Sequence, residues 1–208
     1  MKKFVITVSI FLLLGFVGTA SAATITVGNQ LSALSTLDGA TNIAFLDPTL
    51  VFPSDGTLVG FSAYLKNVAS TDTFAFQIYR PTIVPTAWQL VYSDSKTGPF
   101  STGINSFSAS FGLMAGDVVG WWFGSGGGVI PYDIPLSDPV QWTNYRFAPI
   151  TSPVVGDVYS FNTSTWALSS QNREYSISAD YVPVPEPASL LLVGAGLGLI
   201  QRTLRRRK

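Results

Sequence analysis

Asn105-Ser106-Phe107-Ser108-Ala109-Ser110-Phe111 alternates polar and apolar side chains from Ser106 onward. Successive side chains of an extended strand point to opposite faces, so Phe107, Ala109 and Phe111 are expected to face a core, and Ser106, Ser108 and Ser110 water. The same period of two recurs in 57–66, where Val59, Phe61, Ala63 and Leu65 share a face. It recurs in 73–79, with Phe74, Phe76 and Ile78 against Ala75, Gln77 and Tyr79, and in 173–181, with Tyr175, Ile177, Ala179 and Tyr181 against Glu174, Ser176, Ser178 and Asp180. Each of these four segments is expected to keep one wet face, as strands of antiparallel sheets do.

Weaker strand patterns lie at 25–28, 88–93, 117–123, 142–147, 157–162 and 165–168. Gly and Pro clusters such as Phe52-Pro53-Ser54-Asp55-Gly56 and Thr97-Gly98-Pro99 punctuate them. Gly-Asp precedes an aromatic strand twice, at Gly116-Asp117 and Gly156-Asp157, which predicts one turn geometry used twice. Helical periodicity is weak everywhere between the ends, with 31–37 the sole candidate. About ten strands over one core predict an all-β, antiparallel, jelly-roll-like β-sandwich.

The 208 residues include no cysteine and no histidine. Disulfides, thiolate metal sites and a Cys nucleophile are thereby excluded, as are Ser-His-Asp triads and His-containing metal sites. The formal charge of zero conceals an uneven distribution. From Ala23 to Val182 the basic residues are Lys66, Arg80, Lys96, Arg146 and Arg173, against ten Asp and Glu174, a net of −6. Phosphate neutralisation needs clustered Lys and Arg, so a nucleic-acid partner is not expected.

Gly120-Trp121-Trp122-Phe123-Gly124-Ser125-Gly126-Gly127-Gly128 is the densest local feature. Adjacent tryptophans on a strand face opposite ways, which sends Trp121 to the core and Trp122 to the other face. The glycine run lacks the Lys and helix of a phosphate loop and reads as a mobile connection. Ring faces suited to stacking on a sugar are sought in Trp122, Tyr132 and Trp88, with Tyr79, Tyr92, Trp142 and Trp166 similar in kind; the alternative is that these rings fill the core. Asp38, Asp47, Asp55 and Asp138 sit beside Gly or Pro, the setting of turn-forming Asp. No catalytic residue is assigned and no enzyme activity is expected; a carboxylate pair for polysaccharide cleavage would have to be recruited from dispersed loops. No cofactor is expected, calcium held by loop Asp being the one metal considered. Asn162-Thr163-Ser164 fits a glycosylation sequon.

The two ends differ in kind. Met1-Lys2-Lys3, an apolar run from Phe4 to Val17 and Ala20-Ser21-Ala22 form a secretory signal peptide over 1–22, with cleavage between Ala22 and Ala23 and the Sec translocon as the implied partner. At the other end, Val184-Pro185-Glu186-Pro187-Ala188-Ser189 precedes a Gly-punctuated apolar stretch, closed by Arg202, Arg205, Arg206, Arg207 and Lys208. The apolar stretch of about 17 residues spans roughly 25 Å as a helix, just enough to cross a bilayer. The basic cluster places its far end in the cytoplasm, leaving the 23–182 body across the inner membrane.

Pro-Glu-Pro box, short apolar helix and Arg cluster together resemble the PEP-CTERM sorting signal of diderm bacteria, over residues 183–208. The resemblance implies processing by an exosortase, a membrane-embedded Cys protease that removes the tail near the box. It also implies an association with exopolysaccharide and biofilm. The chain is then expected to be anchored transiently before reaching the cell surface, envelope or matrix. The expected role is structural or adhesive, with a carbohydrate-binding module as the alternative and an Asp-dependent polysaccharide-active enzyme as the less favoured one.

Overall fold

The computed structural model describes residues 23–39, 41–66, 71–85, 87–124, 126–134, 145–147, 150–160, 166–168 and 173–184. Its strands are β1 (Ile25–Gly28), β2 (Ile43–Val51), β3 (Gly56–Leu65), β4 (Thr73–Pro81), β5 (Ala87–Thr97), β6 (Gly103–Leu113) and β7 (Val118–Phe123). The shorter ones are β8 (Tyr132–Asp133), β9 (Tyr145–Phe147), β10 (Val158–Ser160), β11 (Trp166–Leu168) and β12 (Glu174–Tyr175), before the final β13 (Ile177–Pro183). No helix occurs among the described residues.

The strands form a four-stranded sheet in the order β1-β13-β3-β6 and a seven-stranded sheet in the order β10-β5-β4-β7-β2-β9-β11, with β12 pairing β8. All pairings are antiparallel. The two large sheets face each other in a β-sandwich-like arrangement, and Thr24–Val184 is one compact unit. Period-2 patterning is what permits this: one face of each strand is apolar enough to be removed from water.

Rings from both sheets interlock in the core. Phe61 of β3 stacks on Phe76 of β4, with centroids 4.5 Å apart and planes 8° from parallel. Phe45 of β2 stacks on Trp121 of β7 at 5.5 Å, and Tyr175 of β12 lies against Trp121 at 4.7 Å. Each fully buried ring of this kind contributes about 2–3 kcal/mol through removal of apolar area.

The seven-stranded sheet departs from the expectation of one wet face per strand. In β4 both sets are buried: Phe74, Phe76 and Ile78 enter the main core, while Ala75, Gln77 and Tyr79 are covered on the opposite face. That outer face holds a second apolar cluster of Ala44, Leu46, Ala75, Tyr79, Leu90, Val118, Trp122 and Tyr159. Tyr159, supplied by β10, and Ile150 help cover it. The polar atom of Gln77 is accommodated because Tyr79 Oη donates to its Oε1 at 2.9 Å.

Three further expectations are corrected. Val59 is 38% exposed and does not share a face with Phe61, Ala63 and Leu65; Leu58 takes the inward place. The register of β3 slips between Leu58 and Gly60 against β6, and the β13 register slips opposite the same point. A bulge of this kind inverts the facing of what precedes it. Ser176 and Ser178 are buried rather than wet: Ser176 Oγ accepts from Ser32 N at 2.8 Å, and β1 lies beside Ser178. The 31–37 segment is not helical; Thr36 bridges to Tyr132 instead.

The two Gly-Asp starts do share a turn. Gly116 and Gly156 both have positive φ, 91° and 104°. In each, the Asp N–H donates to the carbonyl three residues back, Asp117 to Met114 and Asp157 to Val154. Glycine at the third position of such a turn avoids the Cβ clash of a left-handed backbone.

Candidate functional site

The charged groups of the unit are largely spent on its own architecture. Asp117 is fully buried and receives two parallel hydrogen bonds from Arg80, Nε to Oδ1 and Nη2 to Oδ2, both 2.8 Å. Met114 N donates to the same carboxylate at 2.9 Å, so Asp117 ties the 114–117 turn to β4. Hydrogen bonding to Asp117 raises the Arg80 guanidinium above its ordinary value, against a smaller opposing effect of burial.

A second cluster joins Asp38, Tyr132, Arg173 and Tyr175. Arg173 Nη1 donates to Asp38 Oδ2 at 2.6 Å, Tyr175 Oη donates to the same oxygen at 2.9 Å, and the guanidinium lies 4.4 Å from the Tyr132 ring centroid. Burial, then the negative charge of Asp38, pushes the Tyr175 phenol well above its usual range. For Arg173, burial acts downward but is outweighed by the Tyr175 hydrogen bond and the charge of Asp38, and the net direction is upward. The Gly126–Gly128 run, expected to be mobile, is held against this cluster. Gly128 N donates to Asp38 O at 2.8 Å, and a Cβ on Gly128 would fall 2.5 Å from that carbonyl oxygen.

Lys66 Nζ donates to the carbonyls of Leu34 and Ser35, and Lys96 pairs with Asp94 at 2.8 Å while lying 5.4 Å from the Phe107 ring centroid. Burial, followed by the charge of Asp94, takes the Tyr92 phenol up to about 12. Asp47 makes the expected local turn, accepting from Thr49 N at 3.0 Å and Thr49 Oγ1 at 2.6 Å. Asp55 instead ties two loops, accepting from Ala115 N at 2.8 Å. Among the described residues no three acidic side chains gather where they could hold a metal ion.

The aromatic candidates separate. Trp121 lies in the main core and Trp122 on the opposite face, as alternation requires. That opposite face is itself covered: Trp122 is 9% exposed, and its Nε1 donates to Ile150 O at 2.9 Å. Tyr132 is 6% exposed beneath Arg173. Neither ring offers an open stacking face, because cross-strand and loop neighbours occupy both. Trp88 is half-buried at the rim of the outer cluster. Trp142, Asp138 and the sequon Asn162-Thr163-Ser164 lie outside the described residues.

An open depression that sequence reading did not anticipate lies on the outer face of the four-stranded sheet. It encloses about 200 Å³ and is lined by Val59, Ser62, Ser106, Ser108 and Asp180, over the backbone of Gly60. Ser62 Oγ donates to Ser106 Oγ at 2.8 Å, and Thr26 Oγ1 donates to Asp180 Oδ1 at 2.5 Å. The β3 bulge creates it by turning Val59 outward beside a residue with no side chain. Its signal in the sequence was the outward hydroxyl series, which by itself specifies only wetness.

The last strand delivers the chain directly to the C-terminal tail. Pro183 still pairs with Gly56 at the end of β13, and Val184 N donates to Asp55 O at 2.9 Å. The comparison with known families concerns what begins there. Residues 183–208 match the PEP-CTERM protein-sorting motif. The tail implies an exported protein that an exosortase processes at the cell envelope or surface. The motif covers the tail alone, and no family is assigned to the β-sandwich-like unit that precedes it. No curated protein and no solved structure matches the chain. The expected signal peptide over 1–22 and the tail from Pro185 onward lie outside the described residues. Among the described residues no helix is long and apolar enough to cross a membrane.

Proposed function

We propose that the unit is a non-enzymatic structural or adhesive component of an exopolysaccharide layer or biofilm, delivered there by its sorting tail. The observation that carries this reading is the PEP-CTERM motif starting on the final residue of β13. The N-terminal signal takes the chain through the Sec translocon, and the apolar stretch of the tail holds it transiently in the inner membrane. Exosortase processing then frees it toward the surface. The engagement of Asp38, Asp94 and Asp117 in ion pairs supports a structural role, since a general acid or base must be available to substrate. Chain crossings between the two sheets from β1 to β4 support a jelly-roll-like description of the unit.

The depression formed by Ser62, Ser106, Ser108 and Asp180 favours a second reading, in which the unit contacts polysaccharide directly through hydroxyls and one carboxylate. The buried rings of Trp122 and Tyr132 do not carry that reading.

The test is fractionation of the producing cells. The protein should be recovered with the extracted polysaccharide matrix, and deletion of its gene should weaken matrix cohesion or attachment at least severalfold. Recovery only in polysaccharide-free medium, with an unchanged matrix in the deletion strain, would overturn the proposal. Turnover of the polysaccharide by the purified protein would overturn its non-enzymatic part.

A further inference from the structure

We propose that the free edge of β6 pairs with β6 of a second copy of this chain, antiparallel about a two-fold axis at Ala109. The inference goes beyond the proposed function and does not depend on it. β6 is the terminal strand of the order β1-β13-β3-β6, so among the described residues its second side has no strand neighbour. It is eleven residues long, and its side chains alternate between exposed and half-buried from Gly103 to Gly112. An edge of this kind offers a row of backbone donors and acceptors to any matching strand.

Natural edges are blunted by Lys, Pro or inward-pointing charge. β6 carries no Lys, Pro or charge, and no charged residue occurs from Gly98 to Gly116; its register irregularity is that Ala109 and Ser110 together oppose Val59 of β3. In a body of net charge −6, this is a stretch along which two copies approach without opposing charges.

The sequence then fixes the partner and the register. Phe107-Ser108-Ala109-Ser110-Phe111 reads the same in both directions. With Ala109 opposite Ala109 of the second copy, each Phe107 faces a Phe111 and each Ser108 a Ser110. Residues directly opposite on an antiparallel pair share a face, so ring meets ring on the core side and hydroxyl meets hydroxyl outside. The same axis places Ile104 opposite Met114, beyond the palindrome. These two are 59% and 53% exposed, and pairing them covers both at once, at each end of the joint. Phe107, already packed against Phe61, Phe74 and Phe100, and Phe111, packed against Tyr92, each gain a further ring neighbour from the second copy. The result is one continuous sheet of eight strands, four from each copy.

The chain has no cysteine, so introduced thiols report without background. The full-length chain is made in detergent as Ser108→Cys, as Ser110→Cys, and as both co-expressed. In the proposed register residue 108 lies opposite 110, about 4.5–5.5 Å away between Cα atoms and within disulfide reach. Two copies of residue 108, or of 110, are diagonal neighbours roughly 7–8 Å apart, outside it. Mild oxidation should give a species of doubled mass from the co-expressed pair, at least fivefold more than from either variant alone. By sedimentation the unmodified chain should carry two copies per particle, and Ser108→Lys one, with unchanged circular dichroism. A single-copy particle from the unmodified chain would overturn the proposal. Equal cross-linking in all three preparations would overturn it as well.

Discussion

Phe61→Ala should lower the unfolding free energy of the chain by about 4 kcal/mol. Phe61 is 1% exposed and is packed between two other rings, Phe76 of the opposite sheet at 4.5 Å and Phe107 of the neighbouring strand at 5.1 Å. The loss has two parts, the transfer free energy of the ring and the cavity left between sheets whose backbones are fixed by hydrogen bonds on both sides. Collapse into that cavity is opposed because β3 is held by β13 and β6 together. Against a typical total of about 5–15 kcal/mol, such a loss is about a quarter or more of the stability. Urea unfolding followed by tryptophan fluorescence reads it, since Trp121 lies in the same core. Phe61→Leu, which keeps most of the volume, should recover about half of the loss.

Arg80→Ala should cost about 3 kcal/mol, by a different mechanism. Its partner Asp117 has a side chain with no exposure, while that of Arg80 is 26% exposed. Removing the guanidinium leaves a carboxylate in the protein interior with the Met114 amide as a remaining donor. The expected cost lies at the low end for a broken buried pair because water reaches the Arg80 side of the bridge. The second change in Arg80→Ala/Asp117→Asn removes the stranded charge, so the double variant should be more stable than Arg80→Ala by about 1 kcal/mol. Thermal unfolding of the three proteins side by side gives the comparison. A double variant as unstable as the sum of its parts would mean that the Asp117 charge is compensated by another route.

Residues whose role is local were legible in the sequence. Gly116 and Gly156 each precede an Asp that starts a strand, and the turn follows from glycine's access to positive φ. The Ser and Phe positions of β6 face as their alternation dictates. Trp121 and Trp122 divide between two faces for the same reason. β2 was not legible, because Asp47-Pro48 interrupts it with a turn signature. The structure absorbs that pair at a break in register between Leu46 and Val51, where the missing proline donor leaves no gap in the ladder.

Faces covered from far along the chain were equally hidden. Alternation in β4 shows two sets of side chains but not that Tyr159, eighty residues away, helps bury the second. For the candidate site this has a direct consequence. Trp122 was the natural choice for a sugar platform so long as the outer face was taken as wet, and the Ile150 carbonyl that caps its indole belongs to a segment with no strand pattern. The depression beside Val59 was invisible for the complementary reason: it depends on a bulge, and an alternation reading assumes there is none.

The tail needed no tertiary context, since its three elements lie in one order along the chain and residues 183–208 match the sorting motif. The central claim is therefore best tested on the protein recovered from the surface or matrix of the producing cells, by intact-mass spectrometry. The account predicts a chain that begins at Ala23 and ends near the Pro185-Glu186-Pro187 box, without Arg202–Lys208. A recovered chain that retains the Arg cluster would contradict it.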